Sequence, residues 1–331
     1  MKLNPTRFQG LSLIVSTLIM LGKGAAWWMT DSHAIFSDAG ESLINVMAGG
    51  FALFSLYLSK KPRDRGHPYG HGKIEFVSAL FEALLIIGAG IGIIIKAVHG
   101  LVTAPELKQL DLGIIIAASA GALNFGLGTY AEYLGKKLDS PTLIADGKHL
   151  ITDTWSSVAM VLGLGIVLLT GITWLDPAIA LAMGGFIIFT GIKVLRNSIG
   201  GIMDEADEEL LQEIVQALYQ KKRENWVDLH NIRVIKYGPQ LHVDCHLTVP
   251  WYLNVREAHQ ELDEVERIVN QHTERRVEFF IHTDPCIPSQ CAICEKSECP
   301  VRHHPFKGKV AWDLETVRTN RKHGAEQLED R

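Results

Sequence analysis

Two long apolar segments, residues 34–58 and 140–171, each carry polar side chains at helical spacing. The first contains Asp38, Glu41 and Asn45, and the second contains Asp146, His149 and Asp153. Residues three and four positions apart share one face of a helix, so each segment presents metal-ligand side chains on one stripe. An ionisable group inside a membrane costs roughly 2.5–3.5 kcal/mol on insertion scales, so it normally faces a partner or a water-filled path. A divalent cation would supply the compensating charge. The pattern therefore predicts a membrane protein that moves metal ions.

The composition is typical of a membrane protein with a water-soluble appendage. The 331 residues are 47% hydrophobic, with the apolar residues before about residue 200 and most of the charge after it. The net charge of −5 gives no reason to expect nucleic acid as a partner. The first apolar segment is too long for a signal peptide, and no small-x-small cleavage site follows it. Six spans of bilayer length are predicted, at 8–29, 34–58, 75–99, 111–135, 142–171 and 177–200.

The basic residues of the connecting loops predict the topology. The loops after the second and fourth spans and the N-terminus contain Lys60, Lys61, Arg63, Arg65, Lys73, Lys136, Lys137, Lys2 and Arg7. The other loops together contain one basic residue, Lys108. By the positive-inside rule, both termini are expected in the cytoplasm. We therefore predict a multi-pass protein of the cell membrane, the inner membrane if the cell is bacterial.

The chain after about residue 203 has the periodicity of a small soluble domain. The predicted elements are a helix at 205–222, strands at 228–237 and 241–249, a helix at 254–271 and a strand at 277–282. This order predicts a two-layer α+β domain whose modest core would benefit from dimerisation. The predicted organisation is a six-helix transmembrane domain (1–202), a cytoplasmic αββαβ domain (203–285) and a Cys/His-rich tail with a charged end (286–331).

Four cysteines lie close together at the start of this tail. Cys286, Cys291, Cys294 and Cys299 fall within 14 residues and are followed by His303 and His304. Thiols at this spacing can surround one tetrahedral Zn²⁺, as a structural or metal-delivery site. Redox sensing is the alternative, although disulfides are less expected in a reducing cytoplasm. Residues 313–331 are strongly charged and predict a frayed helix or a disordered end.

Several motifs occur together in the order found in one family. They are HPYGHGKIE (67–75), the two polar stripes, LDP (175–177) and IHTDPC (281–286). Over residues 8–286 the chain resembles the cation diffusion facilitators, divalent-metal/proton antiporters with six spans and a metallochaperone-like cytoplasmic domain. The resemblance implies a homodimer with a transport site between spans two and five. That site would be loaded from the cytoplasm and would exchange metal for protons.

The resemblance implies four transport ligands: Glu41, Asn45, His149 and Asp153. The family generally has His or Asp at the position of Glu41 and Asp at that of Asn45, so the transported metal stays open. Zn²⁺ is expected first, and Fe²⁺, Mn²⁺, Cd²⁺ and Co²⁺ are further candidates. Asn45 has an alternative role as a hydrogen-bonding residue between helices. Asp38 and Asp146 are expected to cap, hydrate or relay protons, and Glu82 to pack or line a vestibule.

Two further metal sites are implied on the cytoplasmic side. The first is an accessory site in the loop after span two, built from Asp64, His67 and His71. Its alternative role is to anchor a basic loop to lipid headgroups. The second is a regulatory site in the soluble domain, built from His230, His246, His259, His282 and Asp284. Metal bound there would cross-link the two soluble domains of the dimer and bias transport.

Two other functional classes fit the same ligands. A membrane metal sensor would bind the ion without moving it. An intramembrane metal-dependent hydrolase would need a general base and access for a substrate, and the sequence has no H-E-x-x-H motif. We therefore expect a transporter and no enzymatic activity.

Overall fold

The computed structural model describes residues 4–30, 33–102, 110–170, 174–237, 240–273 and 276–328. The chain forms two compact units that divide between Met203 and Asp204. The first unit is helical, and the second combines helices with one sheet.

Among its described residues, the first unit has six long helices, at the positions of the six predicted spans. They are α1 (Pro5–Thr30), α2 (His33–Leu58), α3 (Ile74–Val102), α4 (Leu110–Leu138), α5 (Pro141–Thr170) and α6 (Leu175–Ile202). Three stretches among the described residues are long and apolar enough to cross a membrane by length and composition: Pro5–Ala25, Ile74–Gly100 and Pro177–Ile202. The polar stripes lie on α2 and α5, which are not among these three.

Glycine allows a close crossing of α4 and α5 in this unit. A Cβ added at Gly147 of α5 would lie 2.7 Å from the backbone oxygen of Gly128 on α4, and one added at Gly128 would lie 2.8 Å from the oxygen of Gly147. Only the absence of side chains lets these two backbones approach so closely, as is common between membrane helices. The crossing fixes α5 two residues before His149, and it therefore positions the central part of the second polar stripe.

The second unit has the predicted αββαβ order. Its elements are α7 (Glu208–Gln220), β1 (Asp228–Tyr237), β2 (Gln240–Val249), α8 (Val255–His272) and β3 (Arg276–Pro285). Strand β2 is central, antiparallel to β1 and parallel to β3. Alternate residues of β2, including Leu241 and Val243, enter a core with the apolar faces of α7 and α8. The opposite face of the sheet carries the histidines.

The end of the chain folds onto this unit, so the prediction of a frayed or disordered end is wrong for residues 313–328. The short helix α9 (Leu314–Val317) contacts α7 and β1, and Trp312 and Val317 are buried in the core. The backbone N–H of Asn231 on the edge strand β1 donates to the carbonyl of Thr319 at 2.8 Å. The charged composition had suggested that the entropy cost of ordering the tail would keep it unfolded. Burial of Trp312 and Val317 offsets that cost.

Candidate metal sites

Three side chains from α2 and α5 meet in the membrane unit, and we call Asn45, His149 and Asp153 the membrane cluster. The Nε2 of His149 lies 2.9 Å from the Oδ1 of Asn45, and the Nδ2 of Asn45 lies 2.5 Å from the Oδ2 of Asp153. The imidazole and the carboxylate are themselves 3.9 Å apart. Both are less than one-tenth exposed. An amide oxygen, an imidazole nitrogen and a carboxylate thus converge from two helices.

Glu82 of α3 lies behind the membrane cluster. Its Oε2 is 4.0 Å from the Nδ1 of His149, and the residue is fully buried. Neither carboxylate oxygen of Glu82 has a hydrogen-bond partner among the described residues. A carboxylate behind an imidazole can set its tautomer and orientation, a role beyond the predicted one of packing or lining a vestibule.

Of the remaining stripe residues, Asp146 has a partner outside the membrane cluster, and the side chains of Asp38 and Glu41 are not described. Asp146 accepts a hydrogen bond from the Nε2 of Gln9 on α1 at 3.0 Å, with both side chains buried. This contact gives Asp146 a helix-linking role, and its predicted part in a proton relay stays a prediction. The side chains of Glu41, the fourth predicted ligand, and Asp38 lie outside the described part of the structure.

The loop between α2 and α3 contains a second group, the loop cluster of Asp64, His67 and His71, whose potential ligand atoms lie within 4.8 Å of one another. The carboxylate of Asp64 lies 3.2 Å from the Nδ1 of His67 and 3.4 Å from the Nε2 of His71. The backbone N–H of His67 donates to Asp64, and this hydrogen bond is the main reason that the pKa of Asp64 falls to about 2. Asp64 is therefore ionised at any physiological pH.

The register of the sheet creates a third group. His230 on β1, His246 on β2 and His282 on β3 are direct neighbours across the strands, and Asp284 follows His282 on the same face. His230, His246 and Asp284 form the sheet cluster, with potential ligand atoms within 4.8 Å. The Oδ2 of Asp284 lies 3.0 Å from the Nδ1 of His246 and 3.5 Å from the Nε2 of His230.

Two predicted residues of the regulatory site differ from the other three. The ring of His282 lies next to that of His246, tilted by 44° with the ring centres 4.6 Å apart. Its Nε2 is 3.8 Å from Asp284, so His282 lies at the edge of the sheet cluster. His259 is on α8, is largely exposed and pairs with Asp263 at 3.7 Å. The structure does not bring His259 into the sheet cluster, because α8 packs on the core side of the sheet while the cluster lies on the other.

The end of the chain supplies residues around the sheet cluster that the sequence did not suggest. The Nδ1 of His323 lies 2.7 Å from Asp228, whose other oxygen is 3.2 Å from the Nδ1 of His230. Burial alone would raise the pKa of Asp228, but hydrogen bonds from His230 and His323 outweigh burial and lower it to about 2. Alternation along β1 places Asp228 and His230 on one face, a signal that could have suggested Asp228 as the partner of His230.

Lys322 contacts a predicted ligand directly. Its Nζ lies 3.2 Å from the Oδ1 of Asp284 and 2.8 Å from the carbonyl of Pro285. Partial burial would raise the pKa of Asp284, but hydrogen bonds from His246 and Lys322 outweigh it and lower that pKa. No local motif marks Lys322, since it reaches the cluster only through the folding of the tail.

The tail cysteines line a single cavity. Cys286, Cys291, Cys294 and Cys299, which we call the thiol ring, surround a space of ≈ 50 Å³ together with His303. All four are free thiols. In the loop and sheet clusters, all potential ligand atoms lie within 4.8 Å of one another. Among the described residues, the four sulfurs do not meet this limit, so the thiol ring is wider than those two clusters. His304 does not line this cavity.

Comparison with known proteins agrees with this architecture. The family model of the cation efflux transmembrane domain matches residues 11–203, and that of the cation efflux protein cytoplasmic domain matches residues 206–286. An uncharacterized transporter of Synechocystis, sll1263, is 34% identical over 78% of this chain and 84% of its own length. Metal tolerance protein 2 of Oryza sativa subsp. japonica is 30% identical over 82% and 76%, respectively. The cation-efflux pump FieF of Escherichia coli is 26% identical over 82% and 90%.

Six long helices followed by a small αββαβ domain, with potential metal ligands clustered in each, agree with a membrane metal transporter. The chain belongs to the cation efflux family, the cation diffusion facilitators. Its members are transporters and not enzymes, which removes the hydrolase alternative and favours transport over sensing.

Proposed function

We propose that this protein exports divalent transition-metal ions through a site between α2 and α5, and that it exchanges them for protons. The ligands are Asn45, His149 and Asp153, with Glu41 as the fourth. The main support is the convergence of an amide, an imidazole and a carboxylate from two helices. The amide of Asn45 lies 2.9 Å from the Nε2 of His149 and 2.5 Å from the Oδ2 of Asp153. Family membership supports efflux as the direction.

The charges of the ligands suit a dication. Ionised Glu41 and Asp153 with neutral His149 give the site a charge of −2, which balances M²⁺. An imidazole with carboxylates suits Zn²⁺, and the oxygen ligands also accept Fe²⁺ or Mn²⁺. Zn²⁺ is the first candidate for the cargo, followed by Fe²⁺, Mn²⁺, Cd²⁺ and Co²⁺.

The hydrogen bonds of the membrane cluster suggest how protons enter the cycle. Because the Nε2 of His149 faces the amide oxygen of Asn45, that nitrogen carries a hydrogen in this arrangement. Metal binding requires the same nitrogen without a hydrogen, so loading must release a proton or move it to Nδ1, beside Glu82. Protonation of His149 and a carboxylate on the far side would then expel the cation.

The cytoplasmic sites support the transport site in this proposal. The loop cluster would hold an accessory ion. The sheet cluster, with His282 at its edge, would bind a regulatory ion that brings the soluble domains of a homodimer together. The dimer is supported by the match to the family's cytoplasmic domain and the small core of this unit. Both termini would lie on the cytoplasmic side of the cell membrane.

Metal uptake into inverted membrane vesicles tests the transport site. His149→Ala and Asp153→Ala are expected to abolish zinc uptake driven by a proton gradient. Glu132→Gln is the matched control, since it removes a carboxylate of α4 that pairs with Lys136 at 2.8 Å and lies outside the membrane cluster. Normal uptake by both site variants at equal membrane levels would contradict the assignment.

Asn45→Asp tests the role of the amide within this site. A carboxylate at this position strengthens the ligand, so the preference among zinc, manganese, iron and cadmium is expected to change more than the amount of folded protein. Competition among these ions for uptake gives the preference. An unchanged order of ions would leave Asn45 only its hydrogen-bonding role between helices.

A further inference from the structure

Most of the thiol ring lies beyond the part of the chain that the family models match. The match to the cytoplasmic domain ends at residue 286, so three of the four cysteines follow it. They are nevertheless held by the soluble unit, because the chain returns to the core at Trp312 and Val317 after the ring. A segment fixed at both ends can hold its side chains in a defined arrangement.

Two of the thiols are on well-anchored backbone. The N–H of Cys286 donates to the carbonyl of Val249 at 2.9 Å, which continues the pairing of β3 with β2. Cys294 follows the 3₁₀ helix Pro288–Ala292, is 8% exposed and donates its N–H to the carbonyl of Gln290 at 3.0 Å. Cys286 and Cys294 therefore form the fixed side of the thiol ring.

One arginine organises the loop that carries the ring. The guanidinium of Arg302 donates to the carbonyls of Cys291, Cys294 and Lys296 at 2.9, 3.1 and 2.5 Å. The backbone N–H of the next residue, His303, lies 3.5 Å from the sulfur of Cys291. Donors to a sulfur and to the backbone carbonyls of the ligating residues are the kind of outer contacts that orient metal ligands.

We propose that Cys286, Cys291, Cys294 and Cys299 bind one Zn²⁺-type ion as a tetrathiolate site that fastens the C-terminal tail to the soluble unit. Each thiol gives up its proton to solvent as its sulfur binds the metal. The site is separate from the proposed transport site, and it would persist if the transport assignment failed.

The surroundings of the thiol ring fit the charge of such a centre. Four thiolates around a dication carry a net charge of −2. Arg302 and Lys296 both line the cavity and supply two positive charges. A cavity of ≈ 50 Å³ accommodates a single ion. The charge of the surroundings thus agrees with a site for one dication, and the cavity is large enough to hold it.

Binding requires the ring to contract. Zn–S bonds of about 2.3 Å place tetrahedral sulfurs about 3.8 Å apart, closer than the spacing in the structure. Cys299 can supply this movement, because it is half-buried and follows the exposed residues Ser297 and Glu298. The fixed side would hold the ion first, and the loop carrying Cys299 would then close over it.

Cobalt absorption of the full-length protein in detergent tests the proposal. Co²⁺ added to the reduced, metal-free protein is expected to give intense thiolate-to-metal charge-transfer absorption at one equivalent per chain. The membrane, loop and sheet clusters contain no thiol, so they cannot contribute to this signal. Cys299→Ser on the loop and Cys294→Ser on the fixed side should each weaken it, and replacing all four cysteines by serine should remove it.

Cys245→Ala is the matched control. Cys245 is the one cysteine outside the ring, and its side chain lies in the core of the sheet, where burial raises the pKa of the thiol to about 12. This variant should keep the full absorption. Alkylation of the wild-type thiols should also slow about tenfold or more when one equivalent of Zn²⁺ is added, since metal-bound sulfur is a poor nucleophile.

Three results would overturn the proposal. One is an alkylation rate that Zn²⁺ leaves unchanged, together with no thiolate absorption in the Cys245→Ala protein. Another is iron with inorganic sulfide in the isolated protein, which would identify a cluster-binding site. The third is a stable pair of disulfides that re-forms in air in the presence of Zn²⁺, which would identify a redox switch.

Discussion

The membrane cluster and the sheet cluster use the same kinds of side chain in different surroundings. In the membrane cluster, His149 and Asp153 are buried between helices and bonded through one amide. In the sheet cluster, Asp284 links two histidines and also contacts the ammonium of Lys322, while His282 at its edge is mostly exposed. One cluster has a carboxylate with a neutral amide, and the other has a carboxylate whose charge a lysine already balances.

This difference suggests different tasks. Charges interact several times more strongly in a buried site than beside water, so each ligand of the membrane cluster has a large effect on a bound dication. In the sheet cluster, the side chains of His246 and Asp284 are partly exposed to water, and Lys322 already pairs with Asp284, so the loss of either ligand has a smaller effect. Strong dependence on every ligand suits a site through which cargo must pass, and weaker binding suits a site that responds to the metal level.

The membrane and sheet clusters should differ most in how far the loss of their carboxylate slows transport. Asp153→Asn is expected to lower the rate of zinc transport by about 100-fold or more, because a buried ligand and its charge are both lost. Asp284→Asn should lower the rate by less than about tenfold, because the role that we propose for the sheet cluster is regulation of transport and not passage of the ion. Dye-reported zinc flux into proteoliposomes measures both variants at equal reconstitution. Equal losses would contradict the difference in tasks.

Glu82→Gln tests whether the membrane cluster extends to α3. If Glu82 orients His149, its loss should weaken the apparent affinity for transported zinc about 10- to 100-fold, the usual effect of removing a partner behind a ligand. The expected signature is a raised KM with a smaller change in maximal rate. Glu132→Gln on α4 provides the control. An unchanged KM would show that Glu82 only fills space.

His323→Ala tests the link between the tail and the sheet cluster. It leaves the buried Asp228 with one histidine partner, so the local opening of β1 should become about 1–3 kcal/mol easier. Hydrogen exchange of the β1 amides in the full chain measures this opening. His259→Ala removes an exposed histidine of the same unit and should change nothing. Equal exchange in both variants would mean that the tail contact contributes no stability.

The same contact has a defined dependence on pH. The pKa of Asp228 is lowered to about 2 in the folded chain, from an unfolded value of about 3.9. The stabilisation of the folded unit by ionised Asp228 is therefore fully present above about pH 5 and is lost as the pH falls towards 2. Protection of the β1 amides should decrease over that range in the wild type and less in His323→Ala.

Lys322→Met should give the smallest change. The ammonium competes with a cation for Asp284, so its removal is expected to tighten zinc binding at the sheet cluster about three- to tenfold. In the proposed homodimer, non-thiol spin labels on the two soluble domains would report the zinc level at which the domains approach each other. Lys309→Met, which removes an exposed lysine paired with Glu295, is the control. Weaker binding in Lys322→Met would show that Lys322 supports the site.

The sequence predicts much of this molecule where the signals are local. The membrane ligands Asn45, His149 and Asp153 follow helical spacing, and the residues around His246 alternate as in a strand. Because alternation is a local signal, the predicted bounds of the three strands agree with the structure to within a few residues. Contacts that depend on distant segments were not predictable. Glu82 is a single polar residue without a repeated stripe, and the tail reads as charged although Trp312 reaches the core.

The most direct test of the transport site is an anomalous-scattering map of the full chain crystallised with Cd²⁺. We expect a peak between α2 and α5, coordinated by the Nε2 of His149 and a carboxylate oxygen of Asp153, and we expect it to disappear in Asp153→Asn. Peaks at the loop and sheet clusters with none between α2 and α5 would contradict the claim that this cluster holds the transported ion.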